Sequence, residues 1–223
     1  MAELLLGLVD SGLGPAAAGR VRAGCSFGLR DGAVEGAPAQ ADLLGHGSAL
    51  AEILLQVSPR VSLLNAQVFG ARLSCSAAEA AAALVWVVER GARLVNLSFG
   101  LREDRAVLRA ACDEAQRRGV ILVASSPARG DPVYPAAYPG VIRATGDARC
   151  SPAEISFLDT PQADFGAHVR CAAGSVAGAS VGCARICARL ASLLLERPEL
   201  RGGEARAQLA EQARYRGPER RRV

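Results

Sequence analysis

Lysine is missing from this chain; all 26 of its basic residues are arginine. A coding bias toward alanine and arginine accounts for that better than a binding role, so arginine number alone carries little functional weight. Aromatic residues make up only 4% of the 223, which argues against a base-stacking RNA platform. No apolar run approaches the roughly 20 residues that span a bilayer. The seven cysteines (25, 75, 112, 150, 171, 183 and 187) are odd in number and include no Cys-x-x-Cys pair. They fall in apolar and helical stretches, as reduced thiols of a cytoplasmic protein do. Cys183 and Cys187 are one helical turn apart but have no His or further Cys beside them, so no metal site is expected. Neither a GxxxxGK[ST] loop nor a well-placed GxGxxG is present, which excludes the common nucleotide-binding folds.

What is present fits one folded domain. Half the residues are apolar and 22% are charged, enough to bury a core. The net charge of +4 is not spread evenly. Residues 201–223 hold seven Arg and three Glu, while the first 200 hold 19 Arg against 19 acids. A neutral body with a basic end is not the footprint of a nucleic-acid-binding domain. Residues 1–200 are therefore read as the domain, and 201–223 as an Arg-rich tail, partly helical or frayed. The start has no basic segment before a short apolar run, so it reads as a strand and not as a secretion signal.

Leu4 to Val9 is apolar throughout, as a strand buried on both faces would be. Residues 14–44, rich in Gly, Ala and Pro, read as loop. Helices are expected from His46 to Val57, Ser76 to Arg90, Glu103 to Arg118 and Ser180 to Glu196, the second opened by a Ser76–Glu79 capping box. Strands are expected at Val61 to Phe69, Arg93 to Ser98, Val120 to Ala124 and Val141 to Thr145. This alternation implies an α/β fold: a doubly wound, mostly parallel sheet with helices on both faces. Function in such a sheet sits at the carboxyl ends of strands and the amino ends of helices.

Reactive side chains stand at three of those ends. Asp10 follows the first strand, His46 opens a helix within Gly45-His46-Gly47-Ser48, and Ser180 opens the last long helix within Gly178-Ala179-Ser180. Singly, each has a plainer explanation as a turn, cap or structural residue. Together they form the set that acyl transfer needs: imidazole takes the serine proton, a carboxylate holds its tautomer, and the hydroxyl attacks a carbonyl.

In order and local wording these segments resemble the subtilisin-like serine proteases. Leu8-Val9-Asp10-Ser11-Gly12 is similar to the family's Asp motif, and Gly45-His46-Gly47-Ser48 to its His helix. Val95-Asn96-Leu97-Ser98-Phe99-Gly100 resembles its substrate-binding strand, and Gly178-Ala179-Ser180-Val181 its Ser motif. Tyr138-Pro139-Gly140-Val141-Ile142 and Ala172-Ala173-Gly174 resemble connecting motifs. The resemblance covers about residues 4–196. It implies a serine endopeptidase with Asp10, His46 and Ser180 as catalytic residues, and Ser98, Phe99 and Gly100 pairing with the substrate backbone. It implies no cofactor, and His168 falls where the family does no chemistry.

Two departures shape the expected function. Pro127-Ala128 stands where the family places Gly-Asn, so the oxyanion side chain is missing; Ser125, Ser126 and Arg129 are the replacement candidates. With the first strand so near Met1 no prodomain is expected, and the loop before Gly178 is short. Both suit a slow, cytoplasmic protease that removes a leader from one dedicated precursor peptide or protein. Within the family, size and these departures are similar to the small maturation proteases serving the quinohemoprotein amine dehydrogenase γ subunit. That likeness implies a cross-linked γ-subunit precursor as substrate and its modifying enzyme as a second partner, with no nucleic acid or membrane. The alternative is a weak or inactive pseudoprotease acting as a peptide-binding escort.

Overall fold

The computed structural model describes residues 3–172, 174 and 176–219 of the chain. β1 (Leu4–Asp10) is buried along nearly its whole length, as its unbroken apolar run requires. It lies inside the sheet, parallel to β4 (Val61–Gln67) on one side and to β5 (Leu94–Leu97) on the other. β6 (Ile121–Ser125), β7 (Ile142–Gly146) and β9 (Phe165–Ala167) continue the parallel series beyond β5.

Successive residues of these strands serve opposite faces. Leu94, Ile121 and Val123 join Leu50, Leu54, Leu190 and Leu194 beneath α1 (His46–Leu55) and α4 (Ala179–Glu196). Val95, Leu122 and Ala124 join Leu84 and Leu108 beneath α2 (Ala77–Glu89) and α3 (Ala106–Arg117). The fold is thus the expected mostly parallel sheet with helices on both faces. The Ser76–Glu79 capping box opens α2: Glu79 N–H donates to Ser76 Oγ at 3.2 Å, and Ser76 N–H to Glu79 Oε2 at 2.6 Å. Among the described residues, no helix is long and apolar enough to cross a membrane.

One expectation is corrected. Residues 14–44 are not a loop: a 3-10 turn (Pro15–Arg20) leads into β2 (Val21–Arg30) and β3 (Ala33–Pro38). β2 pairs parallel with β4, and β3 pairs antiparallel with β2. The physical reason lies in Val21, Ala23, Cys25, Phe27 and Leu29, which alternate along β2, and in Asp31-Gly32 at the turn. Asp31 and Gly32 both take positive φ, 48° and 82°, the backbone a two-residue hairpin turn demands. Glycine and proline content obscured that period.

β8 (Ile155–Phe157) runs antiparallel to β9, and β10 (Tyr215–Arg216) pairs parallel with β8. Among the described residues the sheet order is β10-β8-β9-β7-β6-β5-β1-β4-β2-β3. Part of the segment beyond residue 200 packs on the body. α5 (Gly202–Glu211) buries Ala205 and Leu209 in the core shared with α1 and α4. Arg149 Nη2 donates to the Gly217 carbonyl at 2.8 Å, just past β10. Residues 220–223, and Ala173 of the Ala172-Ala173-Gly174 motif, lie outside the described residues.

Candidate active site

Asp10 ends β1 at the carboxyl edge of the sheet and is fully buried. Its Oδ1 accepts from Ser11 N–H at 2.7 Å and from His46 Nδ1–H at 2.7 Å. The bond to Nδ1 leaves Nε2 as the basic nitrogen of a neutral imidazole. Asp10 Oδ2 is buried without a partner among the described residues. His46 is the first residue of α1, and the next position must be glycine. A Cβ on Gly47 would run into the Gly12 carbonyl and come within 3.2 Å of Asp10 Oδ1. The helix start and the Asp10–Gly12 turn therefore touch backbone to backbone.

Burial opposes the charge on His46, but the Asp10 hydrogen bond and the fields of Asp10 and Asp42 outweigh it and raise its pKa above the ordinary 6.5. Asp42 is a residue the sequence analysis missed. Its Oδ1 accepts from Ser11 Oγ (2.8 Å) and from the N–H groups of Leu44 (3.1 Å) and Gly45 (2.9 Å). Its Oδ2 accepts from Ser48 N–H (2.9 Å) and Ser48 Oγ (2.6 Å). Ser11 Oγ accepts in turn from Gly47 N–H at 2.8 Å. One carboxylate thus gathers the first turn of α1 and the Asp10–Gly12 turn into a single unit. An acid within a few residues of a helix start is the only sequence signal for it.

Ser180 sits in the first turn of α4, half-buried, after Gly178 at φ 90°. Gly182 fixes how close this helix comes to the sheet, because a Cβ there would collide with the Thr145 carbonyl at the end of β7. Gly146 does the same from the other side: its Cβ would lie 2.7 Å from Val169 Cγ1 and 3.3 Å from the Gly178 carbonyl. The fold brings Asp10, His46 and Ser180 to one sheet edge, with α1 and α4 packed on the same face. The Asp10–His46 bond is made; Ser180 Oγ has no hydrogen-bond partner among the described residues.

Ser98, Phe99 and Gly100 continue past the end of β5. Ser98 is buried and its Oγ accepts from Asn96 Nδ2 at 2.6 Å; Phe99 is buried edge-on to Phe69. Their backbone N–H and C=O groups make no hydrogen bond among the described residues, so the segment is open to an added strand. Leu101, next along, is already paired with Tyr134 in both directions (2.7 and 2.8 Å).

Pro127 and Ala128 follow β6 on the same edge. Of the residues considered as replacement donors, Ser126 Oγ donates to the Gln162 carbonyl at 2.6 Å. Ser125, buried, and Arg129, exposed, have side chains without a partner among the described residues. His168 Nδ1–H donates to the Cys150 carbonyl at 2.8 Å. No disulfide joins any of the seven cysteines.

Three comparisons bear on this geometry. A family model, Peptidase_S8 or subtilase family, matches residues 19–222; Asp10 lies before that match and rests on its bond to His46. Over 142 residues the chain is 32% identical to alkaline elastase YaB of Bacillus sp. (strain YaB), covering 59% of this chain and 36% of that protein. It is equally 32% identical to subtilisin Savinase of Lederbergia lenta, covering 59% of this chain and 51% of that one. The matches thus span about a third to a half of these relatives' length. Among solved structures, Sphericase superposes with a TM-score of 0.70 at 17% identity, over 95% of this chain and 85% of that one. A lanthipeptide protease does so at 0.68 and 16%, over 92% and 79%. At such identities the superpositions speak for the fold.

Proposed function

Since the chain belongs to the subtilase family, we propose that it is a serine endopeptidase built on Asp10, His46 and Ser180. The observation that carries this reading is the buried 2.7 Å bond between Asp10 and His46 Nδ1, on the edge where α4 presents Ser180. His46 Nε2 takes the Ser180 proton as Oγ attacks the scissile carbonyl carbon. The imidazolium formed is held by Asp10, and it returns that proton to the leaving amine as the C–N bond breaks. Water then repeats the sequence on the acyl-enzyme and frees Ser180. Substrate enters as a strand along Ser98, Phe99 and Gly100. The Ser180 N–H, at a helix start, faces the developing oxyanion, with the Ser125 hydroxyl or the Arg129 guanidinium as second donor in place of Ala128.

The finer reading is a slow maturation protease that cuts a leader from a dedicated precursor in a reducing, cytoplasmic setting. Its substrate on this reading is the quinohemoprotein amine dehydrogenase γ-subunit precursor, presented with its modifying enzyme. Ala128 at the oxyanion position supports slowness, and seven unbridged thiols support the compartment.

A fluorophosphonate tests the chemistry without knowledge of the substrate. One adduct, mapped to Ser180 and absent from Ser180→Ala and His46→Ala, is the expected result. Absence of any adduct, with and without the candidate precursor, sinks the protease reading and leaves the peptide-binding escort.

A further inference from the structure

Arginine is distributed unevenly about this site. Among the described residues six guanidiniums have no hydrogen-bond, ion-pair or ring partner: Arg60, Arg72, Arg102, Arg129, Arg170 and Arg189. Four of them stand on loops at the carboxyl edge of the sheet. Arg72 follows β4, Arg102 follows β5, Arg129 follows β6, and Arg170 lies between β9 and Ser180; all four are exposed. β4, β1, β5 and β6 are consecutive in the sheet, so the first three of these loops emerge within about 15 Å of one another at the usual strand spacing.

The acids on the same loops do not balance them. Glu103 is paired with Arg105, and Asp104 accepts from Tyr138 Oη at 2.9 Å and is paired with Arg109. Asp131 is the one acid there without a partner among the described residues. Since the first 200 residues carry equal numbers of Arg and acid, this surplus is local to the edge and does not follow from a basic body.

We propose that these four arginines select a peptide carrying acidic side chains on both sides of its scissile bond. The proposal rests on the endopeptidase reading for its geometry. The unpaired backbone of Ser98, Phe99 and Gly100 fixes an extended peptide among the four loops. Alternate side chains of that peptide then project toward Arg72 and Arg102 on one side and toward Arg129 and Arg170 on the other. A nucleic acid is the poorer fit, because no aromatic side chain is exposed on these loops to stack with bases.

The test separates charge selection from catalysis. Ser180→Ala protein is titrated, by fluorescence anisotropy, with a short alternating Ala–Glu peptide and with its Ala–Gln counterpart. The expected result is a roughly tenfold preference for the Glu peptide at about 20 mM salt, most of it lost at about 300 mM. Adding Arg72→Gln, Arg102→Gln and Arg170→Gln should remove most of the preference, while Lys at the same three positions should keep it. Arg60→Gln with Arg118→Gln, which precede β4 and β6 at the opposite, amino ends of those strands, should leave it unchanged. Melting temperatures of the variants show that each is folded; a set that does not fold is replaced by its single substitutions. Equal binding of both peptides overturns the proposal, as does a preference that survives in the Gln variants or follows the distal pair. Tighter binding of an oligothymidylate than of the Glu peptide overturns it too. None of these outcomes depends on turnover, so fluorophosphonate labelling of the wild type still judges the protease reading separately.

Discussion

Two buried carboxylates in this molecule have been treated in opposite ways. Asp164, beside the β8–β9 end of the sheet, has every oxygen engaged. Its Oδ1 accepts from Arg143 Nη2 (2.7 Å) and Arg206 Nη2 (2.8 Å), and its Oδ2 from Arg143 N–H (2.8 Å) and Nε (3.2 Å). Asp10, more deeply buried, has both its bonds on Oδ1 and, among the described residues, nothing on Oδ2. Burial raises the pKa of Asp164, but two guanidiniums outweigh it and hold the group below the ordinary carboxylate range. Asp10 instead faces an imidazole whose pKa it helps to raise above the ordinary value. One carboxylate is saturated and locks the chain; the other is kept short of partners and works on a titratable neighbour. A satisfied buried ion network therefore reads as structure and an under-satisfied one as chemistry.

The sharpest way to break this contrast is to neutralise each carboxylate in turn. Asp10→Asn should cut turnover by about 10⁴-fold, because an amide N–H facing Nδ1 favours the wrong imidazole tautomer and the carboxylate charge is gone. Its melting temperature should stay close to wild type, and a large drop would show that Asp10 is structural after all. Asp164→Ala should do the reverse, costing about 3–5 kcal/mol of stability by leaving Arg143 without its buried partner, as read from urea unfolding. The protein that remains folded should still label with fluorophosphonate. Because the folded pKa of Asp164 is depressed, its stabilisation is present above the unfolded pKa and lost as pH falls through the folded one. Acid should thus unfold wild type more readily than neutral pH, with a shallower pH dependence in the variant.

How far the sequence disclosed this contrast depends on the range of each interaction. Asp10, His46 and Ser180 were legible because each follows a strand or opens a helix whose pattern is local. Asp42 was not, since its role arises only when the 39–45 loop folds back over Ser11. The β2–β3 hairpin was written in the alternation from Val21 to Leu29 and in Asp31-Gly32, and was lost against a Gly- and Pro-rich background. β8, β9 and β10 span three, three and two residues, too few for a period to show. Their neighbourhood is tied together by Arg143 and Arg206 meeting Asp164, 21 and 42 residues away, and by Arg149 reaching the Gly217 carbonyl, 68 residues away.

The under-satisfied side can also be supplied rather than stripped. Ala128→Asn should raise the acylation rate by about 10²-fold by restoring a donor to the oxyanion site, measured as the rate of adduct formation or of precursor cleavage. The smallest effect concerns Asp42. The pKa of His46 is raised, so the base form appears, and activity rises, only as pH climbs through a value above 6.5. The stabilisation from charged His46 beside Asp10 runs the other way: it is complete below the unfolded pKa and fades through the folded one. Asp42→Asn should move the acid limb of the kcat/KM profile to lower pH, and a limb that stays in place would remove Asp42 from the electrostatics.

The sheet order carries a consequence for how this protein is born. β1, made before either strand that flanks it, lies inside the sheet between β4 and β5, neither of which follows it directly. Asp10 must wait for residue 46 to gain its imidazole and for residue 97 to be walled in by β5. Ser180 arrives only after a further stretch of synthesis, roughly 10–30 s behind Asp10 at ordinary elongation rates. Throughout that interval the growing chain has its acid and its imidazole but not its nucleophile. Until Ser180 is made and α4 packs on the sheet, a growing copy is unable to cut its neighbours or itself.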